Sequence, residues 1–269
     1  GRPGWHIECS AMVKKHLGDT IDIHGGGSDL TFPHHENEAA QSRCANDNPG
    51  YVRYWLHNGM LKLGTEKMSK SVGNVLTIRS LLEKHRSEVL RYALLSGQYS
   101  SSLTWSDELL AQARASLDSL YQGLRDVADS NPPTSTDMEK LAQEEFPETV
   151  VNALCDDLNT PRALAAMHEL AADMRRTTDG VAKAAARRQL LAGGWLLGLL
   201  HQNADDYFTQ GQPGDSESFT ADAIGALIEQ RKAARANGDY AGADRIRDEL
   251  LASGIELEDS REGTRWRKI

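Results

Sequence analysis

His34 and Glu38 stand four residues apart, just after Phe32-Pro33. Proline suits the first turn of a helix, and on a helix that spacing puts imidazole and carboxylate on one face. Both groups bind zinc, and a thiolate such as that of Cys9 can reach them from another element. Cys9, His34 and Glu38 are therefore the candidate metal ligands, three where a closed zinc site takes about four. The same spacing also serves an ordinary helix-face pair, so spacing leaves both readings open. His35, directly adjacent, is expected to point elsewhere on that helix.

Two further stretches carry polar chemistry. His24-Gly25-Gly26-Gly27-Ser28-Asp29 exposes backbone and places a carboxylate shortly after it, which suits a ribose hydroxyl beside close-packed main chain. The plainer alternative is a turn whose glycines need positive φ. Lys67-Met68-Ser69-Lys70-Ser71 lies between Gly64 and Gly73, so its ammonium groups sit on a segment able to move and to neutralise charge developing on a departing pyrophosphate. A solvated lysine loop is the alternative. No Walker-type glycine-lysine loop occurs.

These residues need elements to hold them. Residues 1 to 77 are glycine-rich and carry six of the nine histidines. Ile21-Asp22-Ile23 running into Gly25-Gly26-Gly27 predicts a strand that ends in a tight turn, where α/β folds place their sites. From Leu76 the period becomes helical, through Ile78, Leu81, Leu82, Val89, Leu90, Ala93 and Leu94. Ser106 is a candidate N-cap, with Asp107 and Glu108 in the first turn and Leu110, Ala113, Leu117, Leu120, Tyr121 and Leu124 behind them. Residues 130–136 read as a linker. Asn159-Thr160-Pro161 opens another helix, and an alanine- and leucine-rich helix ends near Leu200. Residues 201–220 read as a second linker, 222–252 as helices broken at Asn237-Gly238-Asp239, and 254–259 as a short strand.

Length and charge bound the rest. The 269 residues are 39% hydrophobic and 26% charged, enough for packed cores in more than one unit. Mean hydropathy is −0.52, and no apolar run approaches the roughly 20 residues that span a bilayer. Gly1 reads as an internal start, without the apolar stretch of a signal peptide, and a cytoplasmic location is expected. Cys9, Cys44 and Cys155 show no disulfide-like spacing, which fits a reducing compartment. A net charge of −9 argues against a whole-surface grip on nucleic acid but permits a local basic patch.

Read in order, Gly1 to Ser10, His24 to Asp29, Phe32 to Glu38 and Lys67 to Ser71 closely resemble the cysteinyl-tRNA synthetases, class I enzymes, and the resemblance covers essentially the whole chain. It implies an α/β portion followed by a mostly α portion: the second half of a Rossmann-type catalytic domain with lysine loop and connective segment in 1–105, a helical bundle in 106–205, and a small α/β anticodon-binding unit in 216–269. It implies ATP-dependent activation of L-cysteine and its transfer to tRNA(Cys), with Zn2+ as cofactor and ATP as substrate with Mg2+, in a monomeric enzyme of the cytoplasm with no membrane partner. Cys9, His34 and Glu38 would hold the metal. Trp5 and His24 would shape the cysteine pocket, Asp29 would hold the ribose, and Lys67 and Lys70 would act on the phosphates. Arg235, Asp244, Arg247, Asp259 and Trp266 are the candidates for anticodon contact, against the alternatives of a helix-face pair for Asp244 and Arg247 and of core packing for Trp266. The family's fourth metal ligand and its HIGH-type motif are expected upstream of Gly1, so the isolated chain is expected to be inactive. Two rivals remain: a mycothiol-pathway cysteine ligase, disfavoured by the unit ending Gly263-Thr264-Arg265-Trp266-Arg267, and a non-catalytic tRNA-binding fragment.

Overall fold

The computed structural model describes residues 4–47, 50–64, 66–67, 76–127, 146–211, 219–260 and 263–269, with the backbone alone at 66–67. They form two compact units. The first gathers Gly1–Val75, Ala93–Gln112 and Val151–Leu164; the second gathers Leu76–Tyr92, Ala113–Val150 and Ala165–Ile269.

The first unit opens with α1 (His6–Leu17), then β1 (Ile21–Gly27). A short helical turn at Ser28–Leu30 and a wide turn at Thr31–His35 lead into α2 (Glu36–Asn46), followed by β2 (Val52–Asn58), β3 (Leu61–Leu63) and β4 (Glu66–Lys67). β1 and β2 pair in parallel, with His24 opposite Trp55 and Gly26 opposite His57. β3 pairs in parallel with β5 (Leu103–Trp105) and antiparallel with β4, whose Lys67 lies opposite Lys62. α1 is fastened to α2 through Ser10, whose hydroxyl donates to Gln41 Oε1 at 3.1 Å.

Two expectations for this unit need correction. The glycines after Ile23 do not form a positive-φ turn: Gly25, Gly26 and Gly27 continue β1 and have no positive φ. What excludes a side chain is space. A Cβ on Gly26 would lie 2.9 Å from His35 Cε1, and one on Gly27 would lie 2.5 Å from Asp29 Oδ1. Pro33, expected in the first helical turn, falls in the wide turn ahead of α2. His34 and Glu38 still meet, because that turn runs into the helix without losing the four-residue offset.

The second unit, together with the stretches 93–112 and 151–164 of the first, is mostly helical. α3 (Ile78–Leu82) and α4 (Ser87–Leu95) occupy the stretch expected as one helix; α3 is capped by Thr77 and stops before Ser87. α5 (Asp107–Arg125) begins where Ser106 was expected to cap it, with Ser106 Oγ accepting from Leu109 N at 3.2 Å. After α6 (Glu148–Cys155), α7 (Thr160–Arg176) is capped by Asn159, whose side chain accepts from Arg162 N at 3.1 Å. α8 (Gly180–Leu197) closes on Gly198 in the left-handed region. The core of this unit is aliphatic and aromatic: Leu117, Leu120, Tyr121, Met167, Met174 and Leu190 are fully buried. The expected linker 201–220 contains a helix, α9 (Ala204–Thr209), which buries Tyr207 against Tyr121 with ring centroids 3.8 Å apart; 212–218 and the expected linker 130–136 lie outside the described residues.

α10 (Ala221–Ala236) and α11 (Tyr240–Ala252) break at Asn237-Gly238-Asp239, and Asp239 caps α11. The expected terminal strand is β6 (Ile255–Ser260), and it has an antiparallel partner, β7 (Gly263–Lys268). Ile224, Leu250 and Ile255 form the small core here, with Trp266 packed against them. No helix among the described residues is long and apolar enough to cross a membrane.

Candidate metal centre and nucleotide-binding elements

Glu38 is the centre of the site. Its position in α2 faces α1 and β1, and none of its side chain reaches solvent. His34 Nε2 lies 2.7 Å from Oε1 and His24 Nε2 lies 3.2 Å from Oε2, yet neither oxygen receives a well-aligned hydrogen bond. A buried carboxylate without aligned donors is costly unless a cation or a well-made network satisfies it. Cys9, on α1, brings its sulfur to the same place: one ligand atom from each of Cys9, His34 and Glu38 lies within 4.8 Å of the other two, and His24, His35 and Glu38 meet the same condition. Sulfur, imidazole nitrogen and carboxylate oxygen are the donor set zinc takes, so the residues fit the expected ion.

The protonation states around the site follow from burial. Burial holds the Cys9 thiol above its usual range, and the Glu38 carboxylate adds to that effect. A bound cation acts in the opposite sense and favours thiolate. Burial pushes His35 down to about 4, helped by His24, His57 and His34, so the ring is neutral near pH 7. Its Nδ1 is 2.8 Å from His57 Nε2, an imidazole pair in which one ring donates and the other accepts.

Trp5 and His24, expected near the cysteine pocket, both touch the ligand cluster. Trp5 stacks on His34 with centroids 4.1 Å apart, and His24 lies edge-on to His35 at 4.6 Å. Asp29, expected to hold the ribose, follows the end of β1 on an exposed turn. Of the lysine loop, Lys67 contributes its backbone to β4, while Lys70 and its neighbours at 68–75 lie outside the described residues.

Sequence reasoning missed part of this cluster. His35 does not point away: it packs among His24, Trp55 and His57. His6 Nδ1 lies 2.7 Å from His34 Nδ1. The signal for the β2 residues was the alternation Trp55, Leu56, His57, which turns both rings to one face once 52–58 is read as a strand. No local pattern marks that face as opposite Gly26.

The C-terminal candidates divide. Asp259 accepts from Arg231 Nη1 and Nη2 at 2.9 and 2.7 Å, from Thr264 Oγ1 at 2.7 Å and from Arg235 Nη1 at 3.3 Å. Its carboxylate is thus engaged inside the unit. Trp266 is partly buried against the small C-terminal core and offers its carbonyl to Arg125 Nη2 at 3.1 Å. Asp244 and Arg247 remain exposed on α11. The Arg231 hydrogen bonds, then that of Thr264, hold Asp259 well below the usual carboxylate range. A depressed folded-state pKa gives stability that is present above the unfolded pKa and lost as pH falls through the folded value. Acid titration of the helix signal should therefore show a loss of stability below about pH 4. In Asp259→Asn that acid-side slope should flatten; an unchanged slope would refute the assignment.

Comparison with known proteins fits this arrangement. Residues 1–115 match the family described as the tRNA synthetases class I (C) catalytic domain, 149–201 match the DALR domain, and 220–267 match the cysteinyl-tRNA ligase anticodon binding domain. A cysteine-tRNA ligase of Saccharophagus degradans is 51% identical over 269 residues, covering 100% of this chain and 56% of that protein. One from Xanthomonas campestris pv. campestris is 48% identical over 268 residues, again covering 100% of this chain and 56% of the relative. The chain thus spans little more than half the length of the curated relatives it matches.

Proposed function

The chain belongs to the cysteinyl-tRNA synthetase family, and from that premise we propose that it supplies the metal-binding and tRNA-binding portion of an enzyme that activates L-cysteine with ATP and transfers it to tRNA(Cys). The observation that carries the reading is the convergence of Cys9, His34 and Glu38 on one buried point beside the end of β1. Zinc held there supplies a soft Lewis acid suited to the substrate's sulfur and poorly matched to a serine hydroxyl.

The chain's own residues do the rest. Glu38 and the imidazole of His34 orient the site, and burial of Glu38 excludes water from its inner side. Trp5 and His24 close the pocket around the amino acid. Asp29 accepts from a ribose hydroxyl, and Lys67 and Lys70 neutralise the departing pyrophosphate, with Mg2+ accompanying ATP. A site built on one specific contact can reject an analogue lacking it by ~10⁴ without editing. The match of 220–267 to an anticodon-binding domain favours tRNA over an amino sugar as the acceptor.

The test is a chimaera in which this chain replaces the matching 56% of the Saccharophagus degradans relative. Cysteine-dependent ATP-pyrophosphate exchange is expected, with serine giving none above background. A folded chimaera without cysteine-dependent exchange would overturn the assignment.

A further inference from the structure

A cavity of about 290 Å³ opens in the second unit, beside α5, α9 and β7, with Arg86, Arg114, Asp118, Tyr207, Arg267 and Lys268 in its wall. Four of those side chains are basic and one is acidic, in a chain whose net charge is −9. Such a reversal of sign within an acidic protein calls for a chemical reason.

The pairing of each charge shows what is left over. Asp118 accepts from the Tyr207 hydroxyl at 2.6 Å and lies 4.0 Å from Arg114 Nε, too far for a strong pair. Arg267 is already matched, to Glu256 at 2.7 Å and Glu258 at 3.5 Å. Arg86 donates to the main-chain carbonyls of Tyr207 and Gln210 and lies over the Tyr207 ring, 4.6 Å from its centroid. It is held firmly in place while its charge is met by no carboxylate among the described residues. Lys268, also in the wall, makes no ion pair among the described residues. The cavity therefore holds a fixed guanidinium and an ammonium that pair with no carboxylate among the described residues, over buried aromatic rings, where such a charge attracts an anion.

We propose that this cavity binds a phosphate group on the backbone of the RNA substrate, an inference that rests on the tRNA reading above. The chemistry needed is an oxyanion that accepts several charge-assisted hydrogen bonds at once. A free phosphate has that chemistry too. The RNA backbone is favoured because Arg267 closes the segment matched to an anticodon-binding domain. Arg114 and Arg267 are also 38% and 35% exposed, leaving room for a phosphate that arrives on a chain.

Two substitutions test this without removing the Arg86 contacts that hold α9: Lys268→Glu and Arg114→Gln. Binding of a tRNA(Cys) transcript by the 269-residue chain is measured across a salt series, beside thermal melts that verify folding. In the double variant, affinity should fall roughly tenfold and the slope of log K against log salt should shrink by about one. Variants that fold and bind with unchanged affinity and slope overturn the cavity assignment while leaving tRNA binding intact. A wild-type chain that binds no tRNA overturns the substrate reading, and the RNA assignment with it. Inorganic phosphate titrated by phosphorus NMR gives the remaining arm. Phosphate binding lost in the variants while tRNA binding is unchanged would identify a free-phosphate site and overturn the RNA assignment.

Discussion

Glu38→Ala is expected to abolish stoichiometric zinc binding by this chain, weakening affinity by more than roughly 100-fold, beyond what loss of an outer-shell partner costs. Glu38 is the one group common to both ligand constellations, with Cys9 and His34 on one side and His24 and His35 on the other. It is also the only carboxylate among them, so its removal leaves imidazoles and a thiol that burial holds above its usual range. Removing the carboxylate also removes its share of the upward push on the Cys9 thiol, so the loss of zinc reads out the missing ligand and not a more tightly held thiol proton. The measurement is metal content after dialysis, together with competition against a chromophoric chelator. Glu36→Ala, an exposed change in the same helix turn, is the control and should retain full zinc. Equal zinc affinity in Glu38→Ala and the wild type would eliminate the metal centre at this position.

Glu88→Ala should cost about 4 kcal/mol of stability, a large part of what a domain of this kind possesses. Glu88 is buried in α4 and satisfies three donors, one from α5 and two from the segment between α8 and α9. Its Oε2 accepts from the Tyr121 hydroxyl at 2.8 Å and from Gln202 Nε2 at 3.1 Å, and its Oε1 accepts from the main-chain N–H of Leu200. Truncation leaves these donors unpaired in an apolar setting, and each orphan costs about 1 to 3 kcal/mol. Burial, followed by the Glu88 charge, drives the Tyr121 phenol far above its usual pKa, so that hydroxyl stays protonated and always presents a donor. Glu88→Gln keeps the volume and one acceptor and should cost about half as much. Denaturant unfolding followed by helix circular dichroism distinguishes these values. A loss below about 1 kcal/mol in Glu88→Ala would show that the network contributes little.

Much of the helical architecture was legible because its determinants are local. Ser106 and Asn159 were readable as caps, since a cap needs only a short side chain and the next turn's free N–H groups. Asn237-Gly238-Asp239 was readable as a break for the same reason. The gap between α3 and α4 was less legible, because Leu82 and Val89 keep a plausible helical phase across a stretch where the chain turns. α9 was hidden in a polar segment, since its stability comes from packing Tyr207 against Tyr121, some 86 positions earlier, rather than from its own composition.

The site shows the same division. By itself the sequence determined which side chains can ligate a soft cation and, through the ordered motifs, which family carries them: Cys9, His34 and Glu38 needed no coordinates to be nominated. It also set the spacing that lets His34 and Glu38 meet. Only the tertiary structure decided that Glu38 is fully buried with poorly satisfied oxygens, that His24 and His35 crowd around it with His57 packed against His35, and that Gly26 is required by the His35 ring rather than by its own φ. Likewise it turned Asp259 inward to Arg231 and Trp266 onto the small C-terminal core. The physical reason is range. Caps, breaks and ligand spacings are fixed by neighbours a turn or less away, whereas burial, strand register and charge pairing depend on segments that meet only after the chain has folded.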